Sequence, residues 1–259
     1  MNAEPASPAA GPAKPGIPWL RWGVRLVVIS LVAWGIWKTV AAAAADFDKH
    51  EFSVTQLQLP WVAVAMLTYA LGLLPSWYYW YLVMRRFGEN PPLLQSLRAH
   101  TIGHLGKYVP GKAMVVVLRA GLLRSSGVDP VVSGAAVFVE TLTLMAVGAA
   151  LSAVLLAIGY REHTTLLAIA CGLALLAGIP TIPPVFRRVA GMLKVFRRGI
   201  RASQALARLN MPLIAAGWAL LIPGWLLLGA SLAACLIAIP GVQVKLAQLP
   251  LITAAVSWA

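Results

Sequence analysis

The chain of 259 residues is 60% hydrophobic and 11% charged, and its 21 Lys and Arg against 8 Asp and Glu leave a formal net charge of +13. Soluble domains are about 45–50% apolar and about 25% charged, so a purely soluble globular enzyme does not fit, and so apolar a chain excludes disorder over most of its length. Strong basicity with strong apolarity leaves two partners, nucleic acid or a membrane that sorts positive charge to one side, and the placement of the bases decides between them.

Residues 1–18, rich in Ala, Pro and Gly, read as a disordered tail. The first long apolar run covers 22–44. It exceeds the roughly 7–15 residues of a signal-peptide core and carries Trp34, Trp37 and Lys38 near its far end, as an interfacial belt does, so an uncleaved span is expected. A second span is expected at 61–84, with Pro75 and the aromatic cluster Trp77, Tyr78, Tyr79, Trp80 and Tyr81 inside it and Arg85 and Arg86 at its end.

Segment 87–130 is too long for an ordinary loop. Leu93, Leu94, Leu97, Thr101, Leu105 and Tyr108 fall on one helical face, and His100, His104 and Lys107 on the opposite stripe. Pro110-Gly111 breaks that helix, and a second apolar run follows from Ala113 to Leu123, interrupted by Arg119. Helix, break, helix without the length to cross twice implies a pair that lies in the interface or dips in and returns.

The third span is expected at 131–158, with one acid, Glu140, between Val139 and Thr141; the fourth at 164–185; a basic stretch at 186–210; and the fifth at 212–239, containing Pro223. A sixth apolar run begins near Leu246 and is still apolar at Ala259, so the sequence is expected to be cut off inside a helix. The fold class is therefore an all-α polytopic transmembrane bundle of about five full spans plus a partial sixth, with a broken or re-entrant helix pair at about 93–126. Cys171 and Cys235 sit in apolar runs, without disulfide or metal-type spacing.

Counted by alternating segment, seventeen bases fall on the side of the N-terminal flank, 85–130 and 186–210, and four fall on the other, where Asp46, Asp48, Glu51 and Glu162 cancel them. That asymmetry places the N-terminus in the cytoplasm. A nucleic-acid binder has no reason to sort charge by membrane side, so nucleic acid is set aside.

Gly106-Lys107-Tyr108-Val109-Pro110-Gly111-Lys112 has the G-x4-G-K spacing of a phosphate-binding loop, but Ala113 stands where a magnesium-binding hydroxyl belongs, Pro110 has no N–H, and the preceding segment is helical. Nucleotide binding is rejected. Gly111 and Lys112 instead open a new helix, whose free N–H groups favour phosphate, and Lys107, Lys112 and Arg119 add full charges. Two readings stand: a lipid-phosphate site at a broken helix, or a basic interfacial helix touching anionic headgroups. Glu140 in mid-span calls for a buried cation, with Arg119 the expected partner, or for protonation. His100 and His104 have ligand spacing but no third ligand, so a polar face is expected rather than a metal site. Asp46 and Asp48 lie just outside the first span, where a membrane glycosyltransferase would need an acid; ordinary solvation is the plainer reading.

The run from Gly106 to Lys112, with Arg119, Leu122-Leu123, Gly127 and Glu140, resembles the lysylphosphatidylglycerol synthase transmembrane region, also called the flippase-like domain, whose members carry KY-x-PGK, a downstream Arg, a Leu-Leu pair, a Gly and a Glu in the following helix. The resemblance covers about residue 20 to the end, giving a domain at 19–259. It implies a bacterial inner-membrane protein that binds, and in the fuller reading translocates, an anionic phospholipid or polyprenyl-phosphate-linked species. The residues it implicates are Lys107, Tyr108, Gly111, Lys112 and Arg119 at the phosphate and Glu140 as buried charge or gate, with no cofactor or metal. Family members that synthesise aminoacylated lipid add a soluble transfer domain that is not in this sequence, so no enzymatic activity is expected; the later PGG-x-G-x-x-E segment is likewise not in it. The alternatives are a membrane glycosyltransferase or aminoacyl-lipid component, and a non-catalytic subunit holding a protein partner through 186–210.

Overall fold

The computed structural model describes residues 54–108, 113–159, 164–192, 200–245 and 248–258, with scattered positions in 23–41 and Glu162. The tail at 1–18, most of the first apolar run, and Asp46 and Asp48 lie outside the described residues. What is described is helical, in chain order α1 (Leu59–Phe87), α2 (Leu93–His104), α3 (Ala113–Leu123), α4 (Pro130–Gly159), α5 (Thr164–Gly178), α6 (Pro183–Met192), α7 (Ile200–Ala207), α8 (Met211–Ile237) and α9 (Leu249–Trp258). No strand occurs among the described residues.

Among the described residues, four helical segments are long and apolar enough to cross a membrane: α1, α4, Thr164–Thr181 and α8. At a rise of about 1.5 Å per residue they extend from about 27 Å to about 45 Å, against a hydrocarbon core of about 30 Å. Their limits follow local chemistry. Gly88 ends α1 in the left-handed region at φ 95°, and Glu89 N–H donates to Met84 O at 3.0 Å. Asp129 starts α4 by accepting from Val131 N–H at 2.8 Å, and Asn210 starts α8 by accepting from Leu213 N–H at 3.2 Å. The expected fourth span to 185 ends earlier. A 3₁₀ turn over Ile179–Thr181 interrupts it, and Pro183 opens α6, because proline favours a first helical turn and cannot continue an existing one.

Lipid tails remove the hydrophobic drive between spans, so close packing holds them together, and small residues provide it. A Cβ on Gly224 would come within 3.2 Å of the Gly72 carbonyl, and one on Gly217 within 2.5 Å of the Tyr79 ring, so α1 and α8 cross on glycines. Gly148 takes the Trp225 indole, whose Nε1 donates to Leu144 O at 3.0 Å and ties α8 to α4.

Interhelical contacts also order the two ends. Arg86 Nε donates to Arg208 O at 3.3 Å, and Gln58 N–H donates to Ala238 O at 3.0 Å, so α1 and α8 run antiparallel. The end of α1, the start of α8, and α7 therefore share one end of the bundle, and the basic segments 85–130 and 186–210 meet there.

The pair α2 and α3 does not cross. Its helices of 12 and 11 residues extend about 18 Å and about 16 Å, roughly half the hydrocarbon thickness. It runs back along α1: Trp77 Nε1 donates to Ser96 Oγ at 3.1 Å near one end, and Lys107 Nζ donates to Tyr69 Oη at 3.0 Å near the other. The faces of α2 are the reverse of those of a soluble helix. Leu94 is 78% exposed, and Leu93 and Leu105 are exposed with it, while His100 is buried at 2%. The polar histidine stripe turns into the protein and the leucines turn outward, as in a helix bathed in lipid.

The glycine crossing predicts a simple contrast. Gly217→Val should lower stability in detergent by about 1–3 kcal/mol, because the ring of Tyr79 has no room to yield. Gly121→Ala, at a position where a Cβ meets no neighbour within 4 Å, should leave the thermal midpoint unchanged or slightly raised.

Candidate functional site

A carboxylate lies at the centre of the site. Glu140 sits in the eleventh position of α4, about 15 Å from its start, and is 3% exposed. A charge there costs several kcal/mol unless paired. Arg119 of α3 supplies the pair: Nη1 donates to Glu140 Oε2 at 2.9 Å, and Arg119 is itself 2% exposed. The guanidinium also stacks over Trp80 of α1, 5.0 Å from the ring centre. The other carboxylate oxygen accepts from the Ser76 hydroxyl, and His100 Nε2 lies 3.8 Å from it and 3.5 Å from Ser76 Oγ. Four elements thus converge on one carboxylate.

Two glycines let α2 and α3 come close enough for this. A Cβ on Gly103 would collide with the Arg119 side chain, and one on Gly106 would lie 2.6 Å from the Val115 nitrogen. Their spacing puts both on the inward face of the hairpin.

Beside the network is a cavity of about 470 Å³ between α1, α8, the hairpin and α9. Its walls are mainly apolar, from Leu73, Leu144, Leu221, Trp225, Leu228 and Val256. Its polar side consists of Tyr69, Ser76, His104 and Lys107. Ser76 belongs to both the cavity and the Glu140 network. The His104 ring packs on His100 with centroids 5.2 Å apart, and its Nδ1 has no hydrogen-bond partner among the described residues. Lys107 is exposed, and its ammonium also sits 5.7 Å from the Tyr69 ring centre.

The sequence-derived candidates separate accordingly. Lys107 lines the cavity. Arg119 and Glu140 are paired to each other in the core, and neither is among the lining residues, so Arg119 does not face the cavity beside Lys107. Tyr108 closes the 3₁₀ turn Leu105–Tyr108, with its side chain outside the described residues; Gly111 and Lys112 lie outside them altogether. Ser76, Tyr69 and Trp80 were not foreseen. Ser76 alone had a signal, as a small polar residue next to Pro75 in an otherwise apolar and aromatic span. Among the described residues no group of three or more His, Cys, Asp or Glu could hold a metal.

This arrangement, a half-length helix hairpin that delivers an arginine to a carboxylate inside a helical bundle, goes with a match over residues 23–259 to the family described as Lysylphosphatidylglycerol synthase TM region. The chain belongs to that family and is a multi-pass membrane protein. Neither the curated proteins nor the solved structures contain a match to it.

The ion pair makes an asymmetric prediction for stability. Arg119→Met should destabilise by about 3–5 kcal/mol, since Glu140 is left buried without a counter-charge, while the double change Arg119→Met with Glu140→Met should recover a large part of that loss. Thermal unfolding of the purified protein in detergent reads both; a double variant as unstable as the sum of the two singles would show that the pair is not coupled.

Proposed function

We propose that the protein is a non-catalytic lipid-handling protein of the bacterial inner membrane, with its N-terminus in the cytoplasm, that binds and translocates an anionic phospholipid or polyprenyl-phosphate-linked species. The observation that supports this best is the two-part cavity. Its apolar walls suit acyl or prenyl chains, and Lys107 stands on its polar side, where a phosphate would sit. In this reading Lys107 contacts the phosphate directly. Gly111 and Lys112, which precede α3 in the sequence, and Tyr108 are assigned to the same phosphate on the sequence argument alone. Tyr69 holds the Lys107 ammonium at 3.0 Å until a headgroup replaces that contact.

Arg119 and Glu140 have a different part. They lock the hairpin against α1 and α4, and Ser76 links that lock to the cavity. A headgroup at Ser76 competes with Glu140 for its hydroxyl, which gives the ligand a way to loosen the hairpin and pass along it. The family likeness supports the lipid class, and the charge asymmetry of the chain supports the sidedness.

The test is a leaflet-exchange and binding assay on the full chain in liposomes, with a fluorescent phosphatidylglycerol analogue. Lys107→Ala should weaken anionic-lipid binding about tenfold, by loss of one charge-assisted contact. Leu144→Trp should fill the cavity and slow exchange without altering surface charge. Binding and exchange at wild-type level in both variants would remove the cavity from the mechanism.

A further inference from the structure

A second polar recess lies at the basic end of the bundle, away from the cavity. It has a volume of about 320 Å³, with Phe87 and Val132 at its floor and Glu89, Arg201, Gln204 and Arg208 around it. The last three come from one face of α7 and its continuation, at spacings of three and four residues. Ala205, at 1% exposure, lines the recess beneath these side chains, and Leu206, at 5%, packs into the bundle beside it. The helix is thus fixed by its apolar side and presents guanidinium groups above the end of α1. Arg86 and Arg187 anchor the same junction through Arg208 O and Ala207 O.

The acids here do not cancel the arginines. The Asp129 carboxylate is committed to the first N–H groups of α4, at 2.8 and 3.2 Å. Glu89 is half-buried and lines the recess with Arg201 and Arg208, so two guanidinium groups stand against this one acid and the recess keeps a net positive charge. Arginine pairs present planar donors that match phosphate oxygens, and basic recesses between spans on the cytoplasmic side suit anionic headgroups.

We propose that the recess between the end of α1 and α7 is a second, non-transported binding site for the phosphodiester headgroup of an anionic phospholipid, held by Arg201 and Arg208. A lipid seated there clamps α7 to α1 and leaves the cavity available for transport. The site does not depend on the function assigned to the cavity.

The experiment is native mass spectrometry and thermal unfolding of the full chain in detergent, with short-chain phosphatidylglycerol, short-chain phosphatidylcholine or inorganic phosphate added. It is run in the wild-type and Lys107→Ala backgrounds, so that cavity binding is accounted for separately. Phosphatidylglycerol should raise the midpoint in both backgrounds and phosphatidylcholine in neither. The double change Arg201→Gln with Arg208→Gln should weaken the remaining phosphatidylglycerol binding at least tenfold. Gln204→Glu, an exposed substitution that spares the fold, should act in the same direction. Unchanged binding in Gln204→Glu and in the double variant would overturn the proposal. Inorganic phosphate as effective as the lipid would overturn the lipid assignment in favour of a soluble phosphate ligand, and release of a co-purified protein instead of lipid would overturn it in favour of a protein partner.

Discussion

A carboxylate about 15 Å inside a membrane span has to be neutralised where it lies, and no residue of α4 can do that for Glu140. The cation must come from another element at the same depth. A full span carrying an arginine would meet its own insertion cost, whereas a half-length helix entering from the basic end brings Arg119 to Glu140 from within the protein. This requirement explains the hairpin. Lipid cannot satisfy an interrupted backbone, so a hairpin of this kind is tolerated at membrane depth only when it is packed against protein, as α2 and α3 are against α1 and α4. Gly103 and Gly106 then follow as packing necessities, since any Cβ at either site would separate the helices that hold the pair together.

The cavity arises from the same constraints. The glycines that bring α1 and α8 together, Gly72 and Gly224, also line it. Pro75 and Pro223, inside these two helices, each remove a backbone donor close to that crossing. Tight helix contact and open volume therefore adjoin, with Ser76 on the boundary between the volume and the ion pair. On the proposed function, a polar residue shared in this way would couple occupancy of the cavity to the stability of the hairpin, because its single hydroxyl proton serves either Glu140 or a ligand.

Much of this architecture was legible in the chain. The limits expected for three spans, 61–84, 131–158 and 212–239, lie within three residues of α1, α4 and α8, because hydropathy over some twenty residues is a strong signal and proline, glycine and capping residues mark the ends. The two faces of α2 were legible too, but not which of them faced inward. Spacing defines a stripe, and only the surrounding solvent decides whether the leucine side or the histidine side is buried. Arg119 raised a related difficulty. It was expected both at the phosphate and as the partner of Glu140, and its place against Glu140 depends on a contact between α3 and α4 that no local pattern encodes. Trp80 was illegible for the same reason, and Ser76 showed only as a polar residue beside Pro75, as the importance of both lies in what reaches them from α2, α3 and α4.

The two kinds of cation on the hairpin separate these roles further. Arginine is weakly hydrated, cannot be deprotonated in a protein and stacks on aromatic faces, which suits a permanent buried pair; Arg119 between Glu140 and Trp80 uses all three properties. Lysine carries a compact charge on a flexible stem. Lys107 is exposed beside the cavity and donates to the Tyr69 hydroxyl at 3.0 Å. A carrier has to bind its cargo and also release it, so a charge locked into a buried pair is poorly suited to direct contact, and an exposed charge beside the cavity is better suited. Had the two residues been exchanged, lysine would have met Glu140 without the planar fork or the stacking, and arginine beside the cavity would have held phosphate in a geometry that slows its departure. The proposed division, cargo to Lys107 and structure to Arg119, thus agrees with their chemistry as well as with their positions.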